Sequence, residues 1–418
     1  MIFWSSSRRS SSSLGLPNVL LAVFSAFVPA LVTAVDLDSV LSKQTNLTIF
    51  NDLVKTHPDI FAKLPNTGVT ILAPNDYAFS KLGVWDTQMR HNATLVAAIL
   101  RYHIIPKPVR MTSIVKGESV WSSTLLTDPA FSTVKGGQHL IMTKQPDGKV
   151  VFASGYATRG TVLAEDLAFD GGLVQVIDSV MRVPEDLELT TRNAYTDITA
   201  FLGALFATGL MGEVVEKQTD LTIFAPRNSA FQQLAGTFAG LSNADLKKIL
   251  SYHIIPRSVM HVWELKNDTS LTTAEGSDSK VGITLFTNFI YVNSAQLIQT
   301  DVLLNNGVVH IIDNVLDYNQ AGARPDVSQA TQSPVFKVAG TQTETGTALP
   351  TPFTSYIPCT TGCPAPGAAT PTTEAGKANG DDEEKSSSNA GLAGARCTGL
   401  AGAGVGVGLA VGALMIGL

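Results

Sequence analysis

The side chains best able to do chemistry in this chain occur as two matching pairs. Tyr102-His103 and Tyr252-His253 each set a phenol beside an imidazole, and imidazole is the group whose charge changes nearest neutral pH. Each pair sits in the same phrase. Leu100-Arg101-Tyr102-His103-Ile104-Ile105-Pro106 returns as Leu250-Ser251-Tyr252-His253-Ile254-Ile255-Pro256, 150 residues further on. Nucleophilic catalysis needs a base and an activated nucleophile in supporting context. Neither copy is accompanied by G-x-S-x-G, H-E-x-x-H, a glycine-rich phosphate loop or a supported carboxylate pair. The chain therefore reads as non-enzymatic, with no cofactor implied. Metal is disfavoured too, since Cys359 and Cys363 offer two ligands where zinc needs four. Two readings of the pairs remain. The Ile-Ile run after each histidine favours packing, with the ring hydrogen-bonded to backbone and pinning a helix end to a sheet. The other reading displays Tyr102, His103, Tyr252 and His253 at the surface.

The elements that must position these pairs are duplicated as well. The stretch from Val69 to Phe79 answers to that from Leu221 to Phe231, and Gly171 to Asp178 answers to Asn306 to Asp313. Three blocks in the same order indicate a tandem domain repeat, and about 140 residues suffice for a core. The spacing predicts one domain over 35–184 and a second over 187–318. Apolar periodicity predicts helices near 36–41, 50–54, 95–102, 198–210 and 245–252. Short β-branched runs predict strands near 69–72, 119–126, 139–143, 149–153, 173–177, 221–224, 281–287 and 289–292. Asn75 or Asp76 is placed to cap the helix after Pro74, and Pro146-Asp147-Gly148 is a turn. From histidine to closing aspartate the first copy takes 75 residues and the second 60, so the first carries extra length in its hairpins. His310 falls in a strand and has a structural reading.

The ends carry delivery signals. Arg8 and Arg9 precede an apolar run, and Val32-Thr33-Ala34 offers a cleavage site, so 1–34 reads as a signal peptide. The sequons at Asn46, Asn92 and Asn267 fit passage through the secretory route. All three cysteines lie beyond the repeats, so neither domain is stapled internally; Cys359 and Cys363 form one small disulfide or remain spare thiols. Residues 319–391, rich in Pro, Thr, Ser, Ala and Gly, read as a disordered stalk. The window around Ser388 and Asn389, followed by an apolar, uncharged tail over 392–418, reads as a GPI-attachment signal; the alternative is a retained membrane helix. A net charge of −6 argues against nucleic acid as a partner.

The three repeated blocks resemble the fasciclin I family. The second copy carries the resemblance best, through Thr222-Ile223-Phe224-Ala225-Pro226, Tyr252-His253 and Asn306-Gly307-Val308-Val309-His310. The first departs at Gly171 and Gln175, where the family pattern has asparagine and histidine. The resemblance implies an α+β fold: two tandem fasciclin-like domains, each a β-sandwich or wedge with flanking helices, followed by the stalk. In animal members the Tyr-His region is implicated in adhesion. A second family motif, an Asp-Ile pair, maps to Asp166-Leu167 and Asp301-Val302, neither of which keeps the isoleucine. The whole looks like a fungal or plant-type surface glycoprotein at the outer face of the plasma membrane or in the cell wall, with a vacuolar membrane as the alternative place. It would bind cell-surface or matrix proteins or wall polysaccharide, or act as a wall spacer without a receptor.

Overall fold

The computed structural model describes residues 35–85, 89–339 and 350–359. The signal segment, Ser388, Asn389, the apolar tail, Cys363 and Cys397 lie outside the described residues. The first domain opens with helices α1 (Leu37–Ser42), α2 (Thr48–Thr56) and α3 (Pro58–Phe61). Strand β1 (Val69–Pro74) follows, then α4 (Asp76–Lys81) and α5 (Ala93–Tyr102). Six strands complete it: β2 (Ile104–Ile105), β3 (Ser119–Ser123), β4 (His139–Lys144), β5 (Val150–Ala153), β6 (Arg159–Phe169) and β7 (Gly172–Ile177). The second domain repeats the plan with α6 (Leu187–Asn193), α7 (Thr199–Ala207), β8 (Leu221–Pro226), α8 (Asn228–Gln233), α9 (Ala235–Ala239) and α10 (Asn243–Tyr252). Its remaining strands are β9 (Ile254–Ile255), β10 (Ser270–Thr272), β11 (Lys280–Phe286), β12 (Phe289–Val292), β13 (Ala295–Leu304) and β14 (Gly307–Ile312).

Each domain has one seven-stranded sheet, ordered β2-β1-β7-β6-β5-β4-β3 and, equivalently, β9-β8-β14-β13-β12-β11-β10. One parallel pair lies inside each sheet, β1 with β7 and β8 with β14. Both β1 and β8 are buried along their full length, as expected for a parallel strand covered on both faces. Alternate side chains then feed two cores. Ile71 and Val174 join Phe50, Phe79 and Ile99 on the helix side, while Leu72 and Ile177 join Tyr102, Leu140 and Phe152 inside the curl of the sheet. The sheet is nearly closed. Leu125 N–H donates to Ile104 O at 2.8 Å, and Ala274 N–H to Ile254 O at 2.8 Å. Of the two shapes expected, this is the wedge.

The turns into the helices follow their side chains. Asn75 Oδ1 accepts from Ala78 N–H at 2.8 Å and caps α4. Asp76 turns the other way and caps α2, accepting from Ile49 N–H at 2.9 Å. In the second domain Arg227 stands where Asn75 does, and Asn228 caps α7 through Ala200 N–H at 2.8 Å.

Two features depart from the sequence reading. The long strands β6 and β13 were not among the expected elements; both carry register shifts against their partners. The extended stalk does not begin at 319. Residues 319–339 and 350–359 lie along the second domain, where Phe336, Phe353 and Ile357 pack on its helix-side core. Arg192 donates to Pro358 O, and Cys359 is disulfide-bonded.

One glycine in each closing box is fixed by close approach. A Cβ on Gly172 would stand 2.0 Å from Val69 O, and one on Gly307 2.0 Å from Leu221 O. Gly172→Ala and Gly307→Ala should each destabilise their domain by about 2 kcal/mol in urea titration, by forcing the parallel pair apart. Gly276→Ala, with nothing within 4 Å of its added methyl, should leave the midpoint unchanged.

Candidate functional site

The histidines of the two Tyr-His pairs close the last turns of α5 and α10 and are 1% and 0% exposed. His103 Nδ1–H donates to Ile99 O at 2.7 Å, and its Nε2 accepts from Met181 N–H at 2.9 Å. His253 repeats this with Ile249 O at 2.8 Å and Leu316 N–H at 2.9 Å. Each ring therefore ties a helix end to the chain leaving β7 or β14, and its partners fix the Nδ1–H tautomer. Tyr102 Oη donates to His139 O at 2.9 Å and Tyr252 Oη to Lys280 O at 2.6 Å. Both tyrosine rings are fully buried. In this fold none of the four side chains is presented to a partner.

The acidic pairs also face inward. Asp166 and Asp301 occupy the left-handed region, at φ +57° and +58°, where β6 and β13 slip register. Asp166 caps the short turn Met111–Ser113, accepting from Met111 N–H at 3.0 Å and Thr112 Oγ1–H at 2.9 Å. Burial pushes its carboxyl up, but hydrogen bonds from Gln175, Met111 and Thr112 outweigh burial and leave its pKa lowered. Asp301 does the same for the turn Val262–Glu264, accepting from Val262 N–H at 3.0 Å. The departure at Gln175 keeps both bonds that the second copy makes and adds one, from its Nε2 to Asp166 Oδ1 at 2.9 Å. Its Oε1 accepts from Asp166 N–H at 2.8 Å and its Nε2 donates to Val109 O at 3.3 Å. His310 makes the equivalent bonds, to Asp301 N–H at 3.3 Å and Met260 O at 2.8 Å. Leu167 packs on the helix-side core of its domain, and Val302 is buried in that of the second.

A cluster that sequence reasoning missed joins the domains. His139 Nδ1 lies 2.9 Å from His261 Nε2, and His261 Nδ1 lies 3.1 Å from Asp301 Oδ1. The carboxylate only accepts, so with both rings neutral the bonds run in one direction: His139 donates to His261, and His261 donates to Asp301. The rings of Trp121 and Trp263 stand 5.3 and 5.1 Å from the His261 ring, stacked with it. Burial first, and then the neighbouring His261, lowers the His139 pKa to about 3. Around this cluster Gln138 Nε2 donates to Leu304 O at 3.0 Å and Lys135 N–H to Asp220 Oδ1 at 2.8 Å. Thr133 N–H donates to Asn305 O at 2.9 Å. These first-domain residues lie in the β3–β4 connection, 124–138, which is longer than its counterpart 273–279. Much of the first copy's extra length thus serves docking. No signal shared by the two copies marks these residues, because the contact uses different surfaces of each.

Asn46, Asn92 and Asn267 are exposed. Among the described residues no group of three or more His, Cys, Asp or Glu side chains is placed to hold a metal ion. Among them, too, no helix is long and apolar enough to cross a membrane.

Two outcomes are expected. Burial lowers the pKa of His103 and His253 from 6.5 to about 4. The unfolded chain thus takes up protons below pH 6.5 that the fold refuses until about pH 4. Stability falls as pH drops through that window, by on the order of 3 kcal/mol per site. Urea titrations at stepped pH should show this slope, and His253→Ala should be destabilised at pH 7.5 and have a flatter slope; an unchanged slope refutes the assignment. His139→Ala should loosen the domain pair. Small-angle scattering should show a larger radius of gyration, while amide exchange in β1 and β8 stays slow.

The fasciclin domain family matches residues 45–184 and 196–318. A fasciclin-like arabinogalactan protein of Arthroderma benhamiae is 29% identical over 286 residues, 68% of this chain and 63% of that protein. This chain therefore spans less than two thirds of that relative's length. The fasciclin-like arabinogalactan protein elcF of Phaeosphaeria nodorum is 28% identical over 298 residues, 70% of this chain and 92% of that one. A solved FAS1 domain pair from the insect cell adhesion molecule Fasciclin I is 19% identical, covers 65% of this chain and 97% of its own, and superposes with a TM-score of 0.31. The two matched segments coincide with the two seven-stranded units, and the chain belongs to the fasciclin-domain family.

Proposed function

We propose that this protein is a secreted surface glycoprotein of the cell wall or the outer face of the plasma membrane, held by a GPI anchor. Its paired domains act together as an adhesive body for surface or matrix proteins or wall polysaccharide. The observation that carries this reading is the docked pair of fasciclin domains, whose Tyr-His and Asp motifs are spent on internal bonds. What the molecule offers a partner is its outer surface. Relatives named as fasciclin-like arabinogalactan proteins support the surface or wall setting. Two domains fixed against one another present one composite surface, with little of the independent reach that flexible bivalency needs.

Two measurements test this. Phosphatidylinositol-specific phospholipase C should release the protein from intact cells, whereas a retained membrane helix would keep it bound. The released protein should bind wall material or cells saturably, and the interface variant His139→Ala should bind several-fold more weakly. Loss of wall strength on deletion, without saturable binding, would instead identify a spacer.

A further inference from the structure

The hairpin β11–β12 ends in an apolar tip. Phe286 and Phe289 oppose each other across its turn and are 44% and 47% exposed. Leu285 is 39% exposed, and Ile298 on neighbouring β13 is 41% exposed. Large apolar groups gathered at a surface mark something that docks there or something that covers it. An asparagine is built in beside this tip. Asn267 Oδ1 accepts from Leu285 N–H at 2.7 Å, which holds its amide against the strand carrying Phe286. The next residue, Asp268, has φ +57° and donates its N–H to Ile283 O at 3.0 Å. The chain thus presents exposed Asn267 at the sheet edge, at the head of the sequon Asn267-Asp268-Thr269.

We propose that a glycan on Asn267 covers this tip, its first sugars lying over Phe286 and Phe289. The distance is right. Phe289 lies two strands in from the edge, about 10 Å, which a disaccharide spans. The C–H face of a pyranose ring is apolar and removes aromatic surface from water. The attachment keeps the local bonds. A lipid-diphosphate-linked oligosaccharide of the secretory route supplies the sugar. Nδ2 loses one proton as it bonds to the anomeric carbon, and the lipid diphosphate leaves. Oδ1 still accepts from Leu285, and the remaining Nδ2–H still donates to Asp268 Oδ2, now 2.7 Å away. The inference rests on the secretory reading above.

The test uses the full chain made in a glycosylating host and solubilised from its surface, with glycopeptide mass spectrometry and fluorescence of a hydrophobic dye. Asn267 should be occupied and dye binding low. Thr269→Ala deletes the sequon while keeping Asn267, and should raise dye fluorescence several-fold; Thr269→Ser preserves the sequon and should match the parent. Adding Phe286→Ser and Phe289→Ser to Thr269→Ala should remove the rise. Enzymatic removal of glycans from the native protein should reproduce the rise without any substitution. An unoccupied Asn267 beside occupied Asn46 or Asn92 overturns this inference and leaves secretion standing; no occupancy at any of the three overturns both. Unchanged dye binding after glycan removal, or self-association through the tip with the glycan in place, also overturns it.

Discussion

Each domain depends on one imidazole that is forbidden to carry charge. At the end of α5 and of α10, the ring donates back to the carbonyl four residues earlier and accepts from a backbone N–H beyond the final parallel strand. The helix, the ring and the strand exit become one hydrogen-bonded unit in a dry core. A proton added at Nε2 would face the N–H it now accepts from, with no water to take up the charge, and this is why burial depresses both pKa values. The adjoining tyrosine extends the tie to the far side of the curl, since its hydroxyl reaches the carbonyl of His139 or Lys280. A two-residue motif thus holds together three parts of the sheet that are distant in sequence.

The two copies show which features of the motif are chemical and which are incidental. Gln175 and His310 differ in type, yet each offers an acceptor to the N–H of a left-handed aspartate and a donor to the carbonyl preceding the capped turn. Asn75 and Arg227 also differ, so α8 starts without a side-chain cap, while Asn228 keeps for α7 the bond that Asp76 makes to α2. The glycine at the start of β7 and of β14 does not vary, and no side chain fits there, since its Cβ would overlap a backbone oxygen of the neighbouring strand. Substitution is tolerated where a bond can be made by other atoms and excluded where space is the constraint.

Much of this was legible in the sequence. The repeated blocks located the strands of both parallel pairs, though not their pairing, and the Tyr-His helices, because buried apolar runs and caps are local signals. Strands β6 and β13 were not legible. Their residues alternate irregularly between exposed and buried, and each bends at an aspartate with positive φ, which breaks the period-two pattern. The docking of 319–339 and 350–359 on the second domain was hidden by composition. Proline-, threonine- and alanine-rich sequence reads as unstructured, whereas a few aromatic anchors, Phe336 and Phe353, suffice to lay it down.

A duplicated domain begins as two equivalent bodies, yet here the contact uses a different surface of each. The departure from equivalence lies in the first copy's β3–β4 connection, which bonds to Asp220, Leu304 and Asn305, and in the Trp121-His139 corner beside it, which meets the turn carrying His261 and Trp263. Asp301 makes this contact double-natured. In its own domain it caps the turn Val262–Glu264, and it also orients His261 toward His139. The internal order of the second domain and its grip on the first therefore share one carboxylate, so disturbing the turn must also disturb the pairing. Coupling of that kind makes a composite surface depend on both domains being folded, which independent modules on a flexible linker would not achieve.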